Sequence, residues 1–172
     1  MKLRLLAASL MLTMSATTFA ASDGTVGATS TGTAVISVEL PKLILATGFA
    51  DLDFGTYAGT GALADDEDIR VSMNFATPTY SVIATADTGS FNLNAGGADN
   101  IPFTLSYNDQ TGTAGRVAMT YNTLLTAQGG GHDALATATD NANYSVDIAQ
   151  AALQAVDAGA YTATVTFVFT PE

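Results

Sequence analysis

The chain has 172 residues, and its 16 acidic side chains against 5 lysines and arginines give a net charge of −11 at pH 7. Nucleic acid and anionic lipid are poor partners for such a chain, because both are bound through positively charged side chains. The sequence contains no cysteine, which excludes disulfides and leaves packing, or a partner chain, as the source of stability.

Residues 1–20 have the layout of a secretory signal peptide. Lys2 and Arg4 precede an apolar stretch that ends at Met14, and small residues follow it, which is the order found in leaders that are removed on secretion. The apolar stretch is short for a membrane span, which needs about 20 residues. We therefore predict cleavage after Ala20 and a secreted chain without a membrane span.

Residues 21–32, ASDGTVGATSTG, are small and polar, and on their own they would be disordered. Their alternating pattern also suits a strand that adds to the sheet of another molecule. The sequence thus predicts a flexible N-terminal extension that is a candidate donor strand, meaning a strand that one molecule contributes to another. A single domain over residues 33–172 follows it.

The domain over residues 33–172 is dominated by apolar residues at every second position, which is the pattern of β-strands. The strongest runs cover residues 34–40, 69–75, 80–85, 101–107, 144–148 and 161–169, and shorter ones cover 43–45, 52–54, 91–93 and 117–121. Many short strands separated by turn-forming residues predict an all-β sandwich or barrel. Residues 147–156 are rich in helix formers, so they form either one or two helical turns or the end of a strand and a loop.

Few residues suggest a metal site. His132 is the only histidine and lies in a glycine-rich loop without a visible partner, so it is expected to be solvated. Asp65 to Asp68 form the acidic run DDED, and Ca²⁺ is commonly bound by closely spaced carboxylates. Because contiguous acids do not match the alternate-residue ligands of an EF-hand, a charged loop before a strand at Ile69 is the competing interpretation.

Catalytic patterns are equally weak. Asp51 and Asp53 flank Leu52 and could supply a glycosidase pair, but no pocket of aromatic sugar platforms is evident. No nucleophile and base form a recognisable constellation. The sequence therefore predicts a protein that is not an enzyme and uses no cofactor.

Four segments carry a family resemblance. The stretches GATSTGTAVISVELP, ADLDFGTYAG, IPFTLSYND and AGAYTATVTFVFTPE follow one another along the chain. This succession resembles bacterial fimbrial (pilin) subunits of the chaperone–usher kind, especially the archaic branch that shares its domain with spore coat protein U. It is also similar to a group of cysteine-free secreted β-sandwich domains of unassigned function. The archaic branch normally has a disulfide, which this chain lacks, and pilins often have tyrosine next to last, where this chain has Pro171.

The resemblance implies an immunoglobulin-like antiparallel β-sandwich that lacks its last strand. In such subunits a periplasmic chaperone fills the gap first, and the N-terminal extension of the next subunit then replaces it by donor-strand exchange. The donor side chains that the resemblance implies are Val26, Ala28, Ser30 and Gly32. The acceptor groove and terminal strand that it implies consist of Gly159, Tyr161, Ala163, Val165, Phe167 and Phe169.

The function that follows from the resemblance is a secreted structural subunit of a bacterial surface fimbria or filament, which passes through the periplasm to the cell surface. Its partners would be copies of itself or sister subunits, a periplasmic chaperone and an outer-membrane usher. The alternative is a single-domain extracellular binding module, namely an adhesin or matrix protein that depends on a glycan or on calcium.

Overall fold

The computed structural model describes residues 21–132 and 139–172, so the predicted signal peptide lies outside the described residues. The chain divides into two units, Met1–Leu40 and Pro41–Glu172. The second unit thus begins later in the chain than the domain start predicted at residue 33.

In the first unit, the described residues form a single isolated β-bridge, between Ser22 and Thr33. These two residues exchange backbone hydrogen bonds of 3.1 and 3.0 Å, and the chain bends between them at residues 26–29. The strand predicted over residues 34–40 is not formed in the isolated chain, so the prediction of a strand within its own domain is wrong. A strand requires a neighbour to complete its ladder, and no described strand pairs with this segment.

The second unit is built of strands and a single described helical turn. In chain order its elements are β1 (Ile44–Thr47), β2 (Leu63–Met73), β3 (Thr79–Ala86), β4 (Asn92–Asn94), β5 (Asn100–Pro102), β6 (Thr104–Asn108), β7 (Val117–Ala118), β8 (Leu125–Gly129), β9 (Gly131–His132), β10 (Ala142–Ile148), α1 (Gln150–Leu153) and β11 (Val165–Pro171). One sheet has the order β1-β2-β10-β6-β7, with β9 also on β2, and the other has the order β11-β3-β8. β4 and β5 form a hairpin, and every pair among these elements is antiparallel except β2 with β9.

The core lies between the two larger sheets. Alternate side chains of the core strands point into it, which explains why apolar residues occur at every second position of the sequence. On β2 the inward side chains of Ile69, Val71 and Met73 are completely buried, and on β3 those of Tyr80 and Val82 are as well. Each such side chain contributes about 1.5–3 kcal/mol through the apolar area it removes from water. The other buried apolar residues are Ala84, Ala86, Ile101, Phe103, Leu105, Tyr107, Met119, Ala142, Tyr144, Val146 and Ile148. The predicted all-β sandwich is confirmed.

The acidic run Asp65–Asp68 lies inside β2, so its interpretation as a loop before the strand is wrong. β10 pairs with the run over its whole length. On its outer face the buried Asn143 donates from Nδ2 to Asp66 Oδ2 at 2.7 Å and to Asp68 Oδ1 at 2.8 Å, and Gly112 N donates to Asp68 Oδ1 at 2.7 Å. Ladder pairing and these charge-assisted hydrogen bonds outweigh the low strand propensity of aspartate.

Two buried tyrosines connect the sheets through the core. The hydroxyls of Tyr80 on β3 and Tyr107 on β6 share a hydrogen bond of 2.5 Å, and their rings meet edge to face. Burial raises the pKa of Tyr80 to about 12, and burial is also the main reason that the pKa of Tyr107 is raised. Both hydroxyls therefore stay protonated at a pH where an exposed tyrosine ionises.

We expect the fold to lose stability as the pH rises above about 10. Unfolded tyrosines ionise near pH 10, whereas the folded Tyr80 keeps its proton to about pH 12, so rising pH favours the unfolded state between these values. For Tyr80 alone the effect reaches on the order of 3 kcal/mol. The double variant Tyr80→Phe/Tyr107→Phe should show a flatter fall of its urea midpoint over this pH range. An equally steep fall in the double variant would contradict the attribution of this loss of stability to Tyr80 and Tyr107.

Candidate functional site

The last strand, β11, has one paired edge and one open edge. It pairs with β3 along its whole length. Asp87 N donates to Thr164 O at 3.1 Å, which places the even-numbered residues of this ladder in the positions that bond to β3. The N–H and C=O groups of Val165, Phe167 and Phe169 therefore point away from β3. Within the described ranges no strand pairs with them, so this edge is open.

Pro171 belongs to the same odd-numbered set. Its nitrogen faces the open edge. Proline has no N–H, but at this position the missing N–H removes no hydrogen bond to β3. A proline next to last is thus compatible with the strand, although it departs from the tyrosine that pilins often have there.

An apolar groove of about 500 Å³ lies beside the open edge. Residues 163–167 of the β11 region form one wall, and residues 49–52 together with Phe54, between β1 and β2, form the other. The apolar side chains of the floor are Leu93, Phe103, Leu105, Tyr144 and Val146. The groove thus combines an apolar floor with unpaired backbone groups.

Aromatic contacts hold the second wall in place. The ring centroid of Phe49 lies 5.6 Å from that of Phe167 and 5.7 Å from that of Tyr144. Tyr144 Oη also donates a hydrogen bond to Ala50 O. The wall is therefore attached to both sheets through side chains rather than through a ladder.

The inward side chains of β11 are only half-buried. Val165, Phe167 and Phe169 have intermediate exposure and alternate with the exposed Thr166 and Val168. In a closed sandwich, the inner face of such a strand is covered by the opposite sheet and by its neighbours on both edges. The groove leaves this part of the core uncovered.

The structure brings three of the predicted acceptor residues together in the groove. Ala163, Val165 and Phe167 line it. Phe169 lies beyond them on the same face, where its ring centroid is 5.8 Å from that of Tyr80. The wall that the structure shows is therefore shorter than the six residues that the resemblance implied.

The other two predicted acceptor residues do not line the groove. Tyr161 Oη donates to Asp157 O at 2.9 Å, so this side chain folds back on the loop before β11. A Cβ at Gly159 would lie 3.4 Å from the Tyr161 ring, which is an ordinary van der Waals contact, so Gly159 packs beside this ring. Both positions shape the entry to β11.

The predicted donor side chains are exposed and lie in the first unit between the bridged residues Ser22 and Thr33. They are Val26, Ala28, Ser30 and Gly32. Bends at residues 26–29 interrupt this segment, so it is not a continuous strand in the isolated chain.

Carboxylates border the groove. The pKa of Tyr144 is raised, first by burial and then by the negative charges of Glu67, Asp51 and Asp65. Asp51 is also part of the groove wall. An occupant that places an acidic side chain on the floor is therefore disfavoured.

The family resemblance implied a groove wall along the last strand, but it indicated neither the second wall nor the floor. The signal for the second wall is the alternation of Leu52 and Phe54 with aspartates, which predicted a short strand. No strand forms there, so that prediction is wrong, and both side chains line the groove instead. Phe49, which anchors the wall, carries no periodic signal in the sequence.

The described ranges contain no group of three histidine, cysteine, aspartate or glutamate side chains placed to hold a metal ion. His132 lies exposed at the end of β9. The calcium hypothesis for Asp65–Asp68 stays a prediction. Among the residues the structure describes, no helix is both long and apolar enough to cross a membrane.

Comparison of the sequence with protein-family models gives no match, and comparison with curated proteins gives none either. A chain of a solved structure is similar to this one; it belongs to a chaperone–tip adhesin complex described as vital for synergistic activation of CFA/I fimbriae biogenesis. The TM-score is 0.53 at 16% sequence identity, and the match covers 75% of this chain and 42% of that one. This chain thus spans less than half of the solved chain, and the similarity shows the fold alone.

Proposed function

We propose that this protein is a non-enzymatic structural subunit of a bacterial surface fimbria, in which the groove beside β11 receives a strand from another chain. The observation that carries the proposal is the open edge of β11 next to an apolar groove of about 500 Å³. The fold similarity to a chain from a fimbrial chaperone–adhesin complex supports it. The subunit would be secreted, bound by a periplasmic chaperone and passed through an outer-membrane usher to the cell surface.

The groove suits strand addition because it offers two kinds of contact at once. The backbone groups of Val165, Phe167 and Phe169 supply a hydrogen-bonding edge, and the floor supplies apolar contacts. In β-augmentation the backbone bonds provide affinity and alternate side chains provide specificity. An added strand would therefore complete both the sheet and the core.

The same features explain why the subunit would need a partner. An open edge beside uncovered apolar side chains is a site of aggregation unless something covers it. If a segment of one copy covers the groove of the next, the contact is head-to-tail and does not close on itself. Such contacts produce fibres rather than closed oligomers.

Filling the groove is expected to stop polymerisation. Ala163 lines the groove, so Ala163→Phe should occupy the space of the incoming strand and leave a folded monomer. Thr170→Phe adds the same ring to an exposed position of β11 and should polymerise like the unchanged chain. Light scattering after size-exclusion chromatography and electron microscopy of the secreted chains would measure both effects. Polymerisation of Ala163→Phe at the unchanged rate, with a normal melting temperature, would contradict the proposal.

A further inference from the structure

Residues 34–40, AVISVEL, have an apolar face that is exposed to solvent in the part of the chain that the structure describes. Ile36, Val38 and Leu40 are 98%, 84% and 73% exposed, and together with Ala34 they occupy every second position. The intervening residues are Val35, Ser37 and Glu39. Single exposed apolar side chains are ordinary on protein surfaces, but three large ones at a period of two would share one face if this segment were extended alongside a sheet.

We propose that residues 34–40 of one copy are the strand that enters the groove of the next copy, with Ile36, Val38 and Leu40 on the groove floor. This inference rests on the proposed function and moves the donor from residues 21–32, which the family resemblance implies, to the segment that follows. The partner is therefore a second copy of this chain.

The two candidate donor segments differ in what they offer to an apolar floor. Residues 21–32 contain one large apolar side chain, Val26, and they bend at residues 26–29 between the bridged ends. Residues 34–40 offer three large apolar side chains on one face and place Glu39 on the other. That separation matters because carboxylates already border the groove.

For a donor strand that runs antiparallel to β11, the open edge restricts the register, because only the odd-numbered residues of β11 have outward N–H and C=O groups. In an antiparallel pair, residues directly opposite each other lie on the same face, and those with outward N–H and C=O groups exchange both hydrogen bonds. Placing Ile36, Val38 and Leu40 opposite the three groove-lining residues gives three pairs. They are Ile36 with Phe167, Val38 with Val165, and Leu40 with Ala163.

The same register has three further consequences. The small Ala34 falls opposite Phe169, where the Phe49 ring already packs at 6.2 Å from the Phe169 ring. Pro171, which has no N–H to offer, lies beyond the paired residues. On the outer face Ser37 falls opposite Thr166, and both side chains face solvent.

Disulfide cross-linking tests the segment and the register, because the chain has no cysteine of its own. In the proposed pairing Ser37 and Thr166 are a non-hydrogen-bonded pair with Cα atoms about 4.5 Å apart, within the range that a disulfide spans. The full secreted chain with Ser37→Cys/Thr166→Cys should give, after mild oxidation, a ladder of covalent multimers that contains most of the protein. Thr29→Cys/Thr166→Cys reports the donor at residues 21–32 and should stay monomeric on a denaturing gel.

Each result separates this inference from the function on which it rests. Filaments with a ladder from the Thr29→Cys variant and none from the Ser37→Cys variant would overturn the inference and keep the proposed function. Filaments without a ladder from either variant would overturn the inference as well. An intramolecular disulfide in a monomer, with no filaments from the unchanged chain, would overturn both.

Discussion

Val38→Asp is expected to abolish polymerisation, and Val35→Asp is expected to leave it intact. The two residues lie in the same segment and undergo the same change, but the period of two places them on opposite faces. Val38 is directed to the groove floor, whereas Val35, 57% exposed in the isolated chain, stays on the solvent face of the added strand. Comparing the two variants therefore distinguishes the effect of which face of the segment carries the aspartate from the effect of the added negative charge itself.

The size of the effect follows from the cost of burying a carboxylate. An aspartate on an apolar floor must either lose its hydration without a partner or take up a proton, and either costs several kcal/mol. Carboxylates that already border the groove add to that cost. Since each 1.4 kcal/mol is a factor of ten, we expect the affinity between subunits to fall by more than about 100-fold for Val38→Asp and by less than about threefold for Val35→Asp.

Sedimentation velocity at a series of concentrations would measure both affinities, and electron microscopy would report filaments directly. Equal loss in the two variants would indicate that added negative charge alone prevents assembly. Equal retention would indicate that the strand on the groove floor comes from elsewhere. Either result contradicts the assignment of residues 34–40 as the donor.

The fold class was predictable from the sequence because period-two alternation determines which side chains share a face. The runs at residues 69–75, 80–85 and 144–148 became β2, β3 and β10 on that basis. Alternation does not determine which strand lies alongside. Residues 34–40 alternate as clearly as the core strands, yet they form no strand in the isolated chain.

The candidate site was predictable only in part, for the same physical reason. Ala163, Val165 and Phe167 belong to an alternating run that predicted a strand, and the family resemblance implied that this strand borders a groove. The opposite wall depends on Phe49 packing against Tyr144 and Phe167, which are far away in the chain. Such contacts arise only when both sheets are in place, and no local pattern encodes them.

The Val38→Asp chain offers a second large effect, because its groove stays open while its own donor segment is disabled. A synthetic peptide of residues 33–41, TAVISVELP, should therefore bind to it and stabilise it. At a peptide concentration of about 100 times Kd the stabilisation is about 2.7 kcal/mol. For a domain of this size that corresponds to a rise in melting temperature of roughly 5–10 °C.

Two controls locate the bound peptide. The same peptide with Val38→Asp should give no rise, because its central side chain would again place a carboxylate on the floor. Adding Ala163→Phe to the Val38→Asp chain should remove the response to the unchanged peptide, because the ring fills the groove that Ala163 lines. A rise that survives Ala163→Phe would place the peptide elsewhere on the molecule, and no rise with a folded Val38→Asp chain would show that the groove does not accept this segment. The peptide is not part of a neighbouring subunit. A rise in melting temperature would therefore measure the affinity of the groove for this segment independently of how subunits are arranged in a filament.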